Sequence, residues 1–91
     1  MTFKVRNKRA TVYSASIFGV EVSIHHHIYY DPDEWLLTCK HLGLEAAELH
    51  EADIHNAIEK AKKVVADAIA KQAEVLVAIR REFVEGEVVV E

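Results

Sequence analysis

The stretch DIHNAIEKAKKVVADAIAKQAEVLVAIRREF, residues 53–83, decides the architecture. Its 31 residues contain neither Gly nor Pro and are mostly good helix formers. Apolar side chains recur at Ile54, Ile58, Ala61, Val65, Ala68, Val75 and Ile79, the 4-3 alternation of one helical face. A helix this long reaches about 45 Å at 1.5 Å per residue. A compact domain of 91 residues has a radius of gyration of only ~12–13 Å. The helix must therefore overhang its own domain, break, or pack on a second copy.

Working outward, Asp53 is a good N-cap and Gly86 a natural stop. Arg80 and Arg81 near the end suit the helix dipole. The sequence EVVV after Gly86 could form a terminal strand within residues 86–91, on this sheet or a partner's. Upstream, residues 10–18 mix β-branched and aromatic side chains and read as a strand, with Gly19 as a bulge or turn. Residues 20–30, VEVSIHHHIYY, alternate with a period of two. Val20, Val22, Ile24, His26, Ile28 and Tyr30 share one face. Glu21, Ser23, His25, His27 and Tyr29 share the other.

Asp31-Pro32-Asp33-Glu34 suits either a helix start or a hairpin turn. We choose the turn, because an isolated two-stranded ribbon is marginal in water and the long strand before it needs a neighbour. Trp35, Leu37 and Cys39 then point inward, with Leu36, Thr38 and Lys40 outward, paired across the turn with residues 25–30. Residues 44–49 supply a short third strand. The expected fold is α+β: a small antiparallel sheet of three to four strands on one long C-terminal helix. It forms a single domain, with a flexible basic arm at 1–9, the sheet at 10–50 and the helix at 53–83.

Charge divides the chain. Residues 1–20 carry Lys4, Arg6, Lys8 and Arg9 and no acid; residues 21–91 hold all 15 acids against seven Lys and Arg, a net of −8. An acidic body is a poor nucleic-acid binder and suits a basic protein partner. The single cysteine, Cys39, allows no intrachain disulfide and fits a reducing cytoplasm. No apolar run approaches a membrane-spanning length.

The order strand, DPDE turn, strand, LGL loop, short strand and D-I-H-N-A-I-E-K-A helix, over roughly residues 20–68, resembles the N-terminal domain of HicB-like antitoxins. Asp53, Ala57 and Ile58 occupy the helix-opening positions, and His41-Leu42-Gly43 stands where the family's loop lies. The resemblance implies a partial ribonuclease H-like fold that masks a small basic ribonuclease toxin without catalysis. Two features depart from the pattern. No Pro enters the loop, and more helix stands where the family often carries a DNA-binding domain.

Chemistry is sparse. His25 and His27 share a strand face and form the candidate metal pair, but no H-x-x-x-H on the helix or C-x-x-C completes a site, and solvent-facing or edge-strand His is the simpler explanation. Cys39 and His41 stand two apart as a conceivable thiolate pair, against the alternative of a small buried Cys. No Gly-rich phosphate loop, nucleophile elbow or H-E-x-x-H is present. The expectation is a non-catalytic, cofactor-free protein-binding module: an antitoxin-like neutraliser of a basic partner. The alternative is a phage or mobile-element accessory protein acting by oligomerisation or as an acidic inhibitor of a nucleic-acid machine. Tyr29, Asp31, Asp33, Glu34 and Glu45 are the expected partner-binding residues. Ile58, Val65, Val75 and Ile79 are the expected homodimer interface.

Overall fold

A computed structural model of the chain describes residues 1–26 and 34–91. Among the described residues five strands, β1 (Lys4–Val5), β2 (Val12–Ile17), β3 (Val20–His25), β4 (Leu36–Cys39) and β5 (Leu44–Glu48), precede one α-helix, α1 (Ile54–Glu85). The sheet is an antiparallel meander in the order β1-β2-β3-β4-β5. The fold is α+β as the sequence predicts, with five strands rather than three or four.

The added strand lies in the expected basic arm. Lys4 and Val5 pair with Ser14 and Tyr13, so part of that arm is the sheet's edge. Asn7 organises the link to β2: its Oδ1 accepts the Thr11 and Val12 amides at 2.9 and 3.2 Å. Between β2 and β3, Ile17 pairs with Val20, leaving Phe18 and Gly19 as a two-residue turn at φ +50° and +80°. Positive φ at both positions matches the twist of the flanking strands. Gly19 is thus a turn and not a bulge.

Trp35 and β4 follow the hairpin reading. Leu37 pairs with Ile24 and Leu36 with His25. The pairing joins residues 23–25 to Leu36–Thr38, and β3 ends at His25; residues 27–30 of the expected long strand and Asp31, Pro32 and Asp33 of the expected turn lie outside the described residues. Trp35, Leu37 and Cys39 are buried in the main core with Val22, Ile24 and Leu49. Leu36, expected outward, is also buried, on the sheet's other face, and Ser14 is buried too. Lys40, expected at the end of this strand, instead opens a 3-10 turn (Lys40–Leu42) that Gly43 closes at φ +69°.

Trp35 ties the sheet to the start of α1. Its ring packs edge-on to Tyr13 at 5.7 Å between centroids and lies 3.8 Å from His26. Its Nε1–H donates to the Ala52 carbonyl at 2.9 Å. One residue on, Asp53 caps the helix by accepting the Asn56 amide at 3.0 Å. Ala57 and Ala61 are fully buried against the sheet, and their small side chains permit close approach. Ile54, Ile58, Val64 and Val65 flank them, partly buried on the same core.

Beyond Ala68 every residue of α1 is exposed. The helix neither breaks nor folds back: it overhangs, giving a body 55 × 26 × 22 Å with a radius of gyration of 17.1 Å. Arg80 and Arg81 stop short of its last turn, which holds no basic residue. Gly86 ends the helix at φ −78°, outside the left-handed region. A Cβ there would stand 2.6 Å from the Glu82 carbonyl oxygen, so close approach and not dihedral freedom selects glycine. The sequence EVVV after it forms no strand on this sheet; Val88, Val89 and Val90 are exposed.

Candidate protein-interaction surface

Two apolar features lie on one side of α1 and run into each other. The first is a groove of about 350 Å³ between the helix, the 3-10 turn and the β2–β3 hairpin. Val65, Ala66 and Ile69 line it from the helix, Leu42 from the 3-10 turn, and Ile17 and Phe18 from the hairpin. Phe18 is fully exposed at φ +50°. A left-handed conformation costs an L-residue roughly 1–2 kcal/mol. A strained, solvated aromatic is an expensive residue for a hairpin turn, where Asn, Asp or Gly would serve at lower cost.

The second feature is the overhang. From Val65 a stripe continues through Ile69, Gln72, Leu76, Ile79 and Phe83, alternating four and three residues apart. That spacing is the a/d seam of a coiled coil. Gln72 fixes its direction, because its Nε2–H donates to the Leu42 carbonyl at 3.1 Å and so faces the sheet side. Leu76 is 63% exposed and Phe83 81%, with Val75 and Val84 beside them. A monomer rarely leaves so many large apolar side chains contiguous in water. Residues 69–85 carry three cations, Lys71, Arg80 and Arg81, and three acids, Glu74, Glu82 and Glu85, so the overhang has no net charge.

The expected dimer set separates here. Ile58 and Val65 are partly buried against the chain's own core. Val75 and Ile79 stand exposed on the overhang, 57% and 46%. Periodicity alone could not divide a stripe that serves the core in its first half and solvent in its second. Phe18 escaped the sequence reading because a strand-like run hid the turn; the adjacent Gly19 was the available signal.

Of the expected partner-binding residues, Tyr29, Asp31 and Asp33 lie outside the described residues. Glu45 is exposed on the edge strand β5. Glu34 lies 3.6 Å from His50, which also meets Glu48 at 3.5 Å. Glu34 and Glu48 thus flank His50 at one end of β5, while Glu45 stands at its other end, beside the 3-10 turn.

Among the described residues the histidines do not converge. His25 and Thr38 sit 2.9 Å apart across β3 and β4, while His26 packs on Trp35 on the opposite face. β3 is interior to the sheet, so these are not edge-strand histidines. His27 lies outside the described residues. Among the described residues no three His, Cys, Asp or Glu side chains are grouped to hold a metal ion. Cys39 is fully buried, and the 3-10 turn takes His41 off its strand face, so the two do not form a thiolate pair. No helix among the described residues is long and apolar enough to cross a membrane. No protein-family model, curated protein or solved structure gives a significant match to this chain.

Proposed function

We propose that this chain is a non-catalytic protein-binding module that assembles with a second copy of itself through the overhanging half of α1. The carrying observation is the solvent-exposed seam of Ile69, Leu76, Ile79 and Phe83. Burial of one such side chain contributes roughly 1.5–3 kcal/mol, and a twofold partner buries each of them twice. Zero net charge on residues 69–85 favours a like partner over a basic one, because self-pairing meets no net repulsion and a cation gains no field.

A second reading concerns these acids. Glu34, Glu45 and Glu48 give the body a surface suited to steering a basic protein, as an antitoxin-like neutraliser or an acidic inhibitor of a nucleic-acid machine requires. None of these acids belongs to the apolar seam, so a self-assembled form can present two such surfaces.

Co-expression of two differently tagged copies tests the assembly reading. The copies should co-purify, and Leu76→Glu in both should abolish this while leaving the circular-dichroism spectrum of the sheet and first helical turns intact. Co-purification that ignores Leu76→Glu overturns the assignment to the overhang. In parallel, charge reversal at Glu45 and Glu48 should slow capture of a small basic protein; binding unmoved by the reversal rejects the acidic surface.

A further inference from the structure

Among the described residues no segment of the chain fills the groove, and the C-terminal tail supplies apolar side chains in need of cover. Val88, Val89 and Val90 are exposed, at 79, 76 and 92%. Three consecutive apolar residues in water are out of place unless something covers them. Their own groove is out of reach. From Ile69, on its wall, the helix continues about 25 Å to Gly86 at 1.5 Å per residue. The four residues from Gly86 to Val90 span at most about 14 Å fully extended. A straight α1 therefore keeps these valines away from the groove, whatever follows residue 91.

A second copy removes the difficulty. In an antiparallel coiled coil, a positions layer against d positions of the partner. Pairing Leu76 with Ile79 of the second copy, and Phe83 with its Gln72, makes the two residue numbers in each layer sum to 155. The same sum places Gly86 beside Ile69 of the other copy. Past Gly86 the chain is extended, and its span of up to about 14 Å to Val90 covers the roughly 6 Å that separate Ile69 from Val65 along the partner helix. Val65 and Ile69 line the groove from the helix. The register that pairs the two overhangs thus delivers each tail to the opposite groove. Charge agrees: Glu87 and Glu91 flank the valines, while the groove lining includes Lys62 and His41 and no acid.

We propose that residues 88–90 of one copy dock in the apolar groove of the other, reciprocally, against Phe18, Leu42, Val65 and Ile69. The strained Phe18 packs on the incoming valines. This proposal rests on the self-assembly reading above and gives it an orientation and a lock: two helices antiparallel, with a tail in a groove at each end.

Two measurements on the full chain test it. In the double variant Ala66→Cys and Val89→Cys, mild oxidation should cross-link the two copies between residue 66 of one and residue 89 of the other, identified by peptide mapping. Each single variant should give less than a tenth of that product. Separately, replacing Val88, Val89 and Val90 by Ser should raise the dimer dissociation constant about tenfold or more, the order of one lost valine burial. An assembled dimer without the 66–89 bond, or one whose affinity ignores the serine replacements, overturns the tail docking and leaves the helix pairing standing. A chain that stays monomeric at every concentration overturns both.

Discussion

At the scale of single residues, two positions bear on the rest. Phe18 stands at φ +50° with its ring in solvent. Phe18→Asn should stabilise the isolated chain by up to about 1 kcal/mol, since Asn tolerates the left-handed region. It should also weaken self-association, because the groove loses an apolar lining residue. Urea unfolding at low concentration, with sedimentation at high concentration, reads both effects; opposite signs in the two are the expected outcome. Trp35 is the second. Trp35→Phe keeps most of the ring packing but removes the donor to the Ala52 carbonyl. We expect a loss of roughly 1–2 kcal/mol, the usual consequence of leaving one part-buried partner unsatisfied. An unchanged urea midpoint would count against Trp35 as the tie between sheet and helix. Sequence reasoning placed Trp35, Leu37 and Cys39 correctly inward and missed Leu36, because the pattern W-L-L-T-C buries both faces and alternation assigns only one.

At the scale of elements, α1 was legible from its uninterrupted composition, its Asp53 cap and its Gly86 stop. The strand from Val20 to His25 and the inward face of β4 were legible from alternation; the expected strand residues 27–30 lie outside the described residues. β1 was not: two residues, Lys4 and Val5, carry no periodic signal, and only pairing with β2 makes them a strand. The dimer stripe was half legible, since a 3.6-residue period marks an apolar face without saying what covers it. Asp53→Ala should cost about 1 kcal/mol by removing the acceptor for the Asn56 amide, seen as a lower melting temperature. The two halves of α1 should also differ in hydrogen exchange. Amides of residues 57–68 should be protected at all concentrations, because Ala57 and Ala61 anchor them to the sheet. Amides of residues 72–85 should gain protection only as concentration rises, since an exposed half-helix frays unless packed. Equal, concentration-independent protection along the whole helix would argue that the overhang is stable without a partner.

At the scale of the molecule, a small sheet and half a helix make one core, and the other half of the helix is apolar surface without cover in a single chain. The acidic body and the neutral overhang divide the chain into a surface that favours cations and a seam that favours its own kind. The sequence showed an acidic body as a whole; that residues 69–85 are neutral within it matters only once the structure shows where the sheet ends along the helix. Sedimentation equilibrium of the unmodified chain across a hundredfold concentration range tests the central claim most directly. The account predicts a reversible monomer–dimer equilibrium, with the weight-average mass rising from 10.3 kDa toward twice that value, and a fixed 10.3 kDa species in the Leu76→Glu variant. A single mass of 10.3 kDa for the unmodified chain, constant across the whole range, would contradict it.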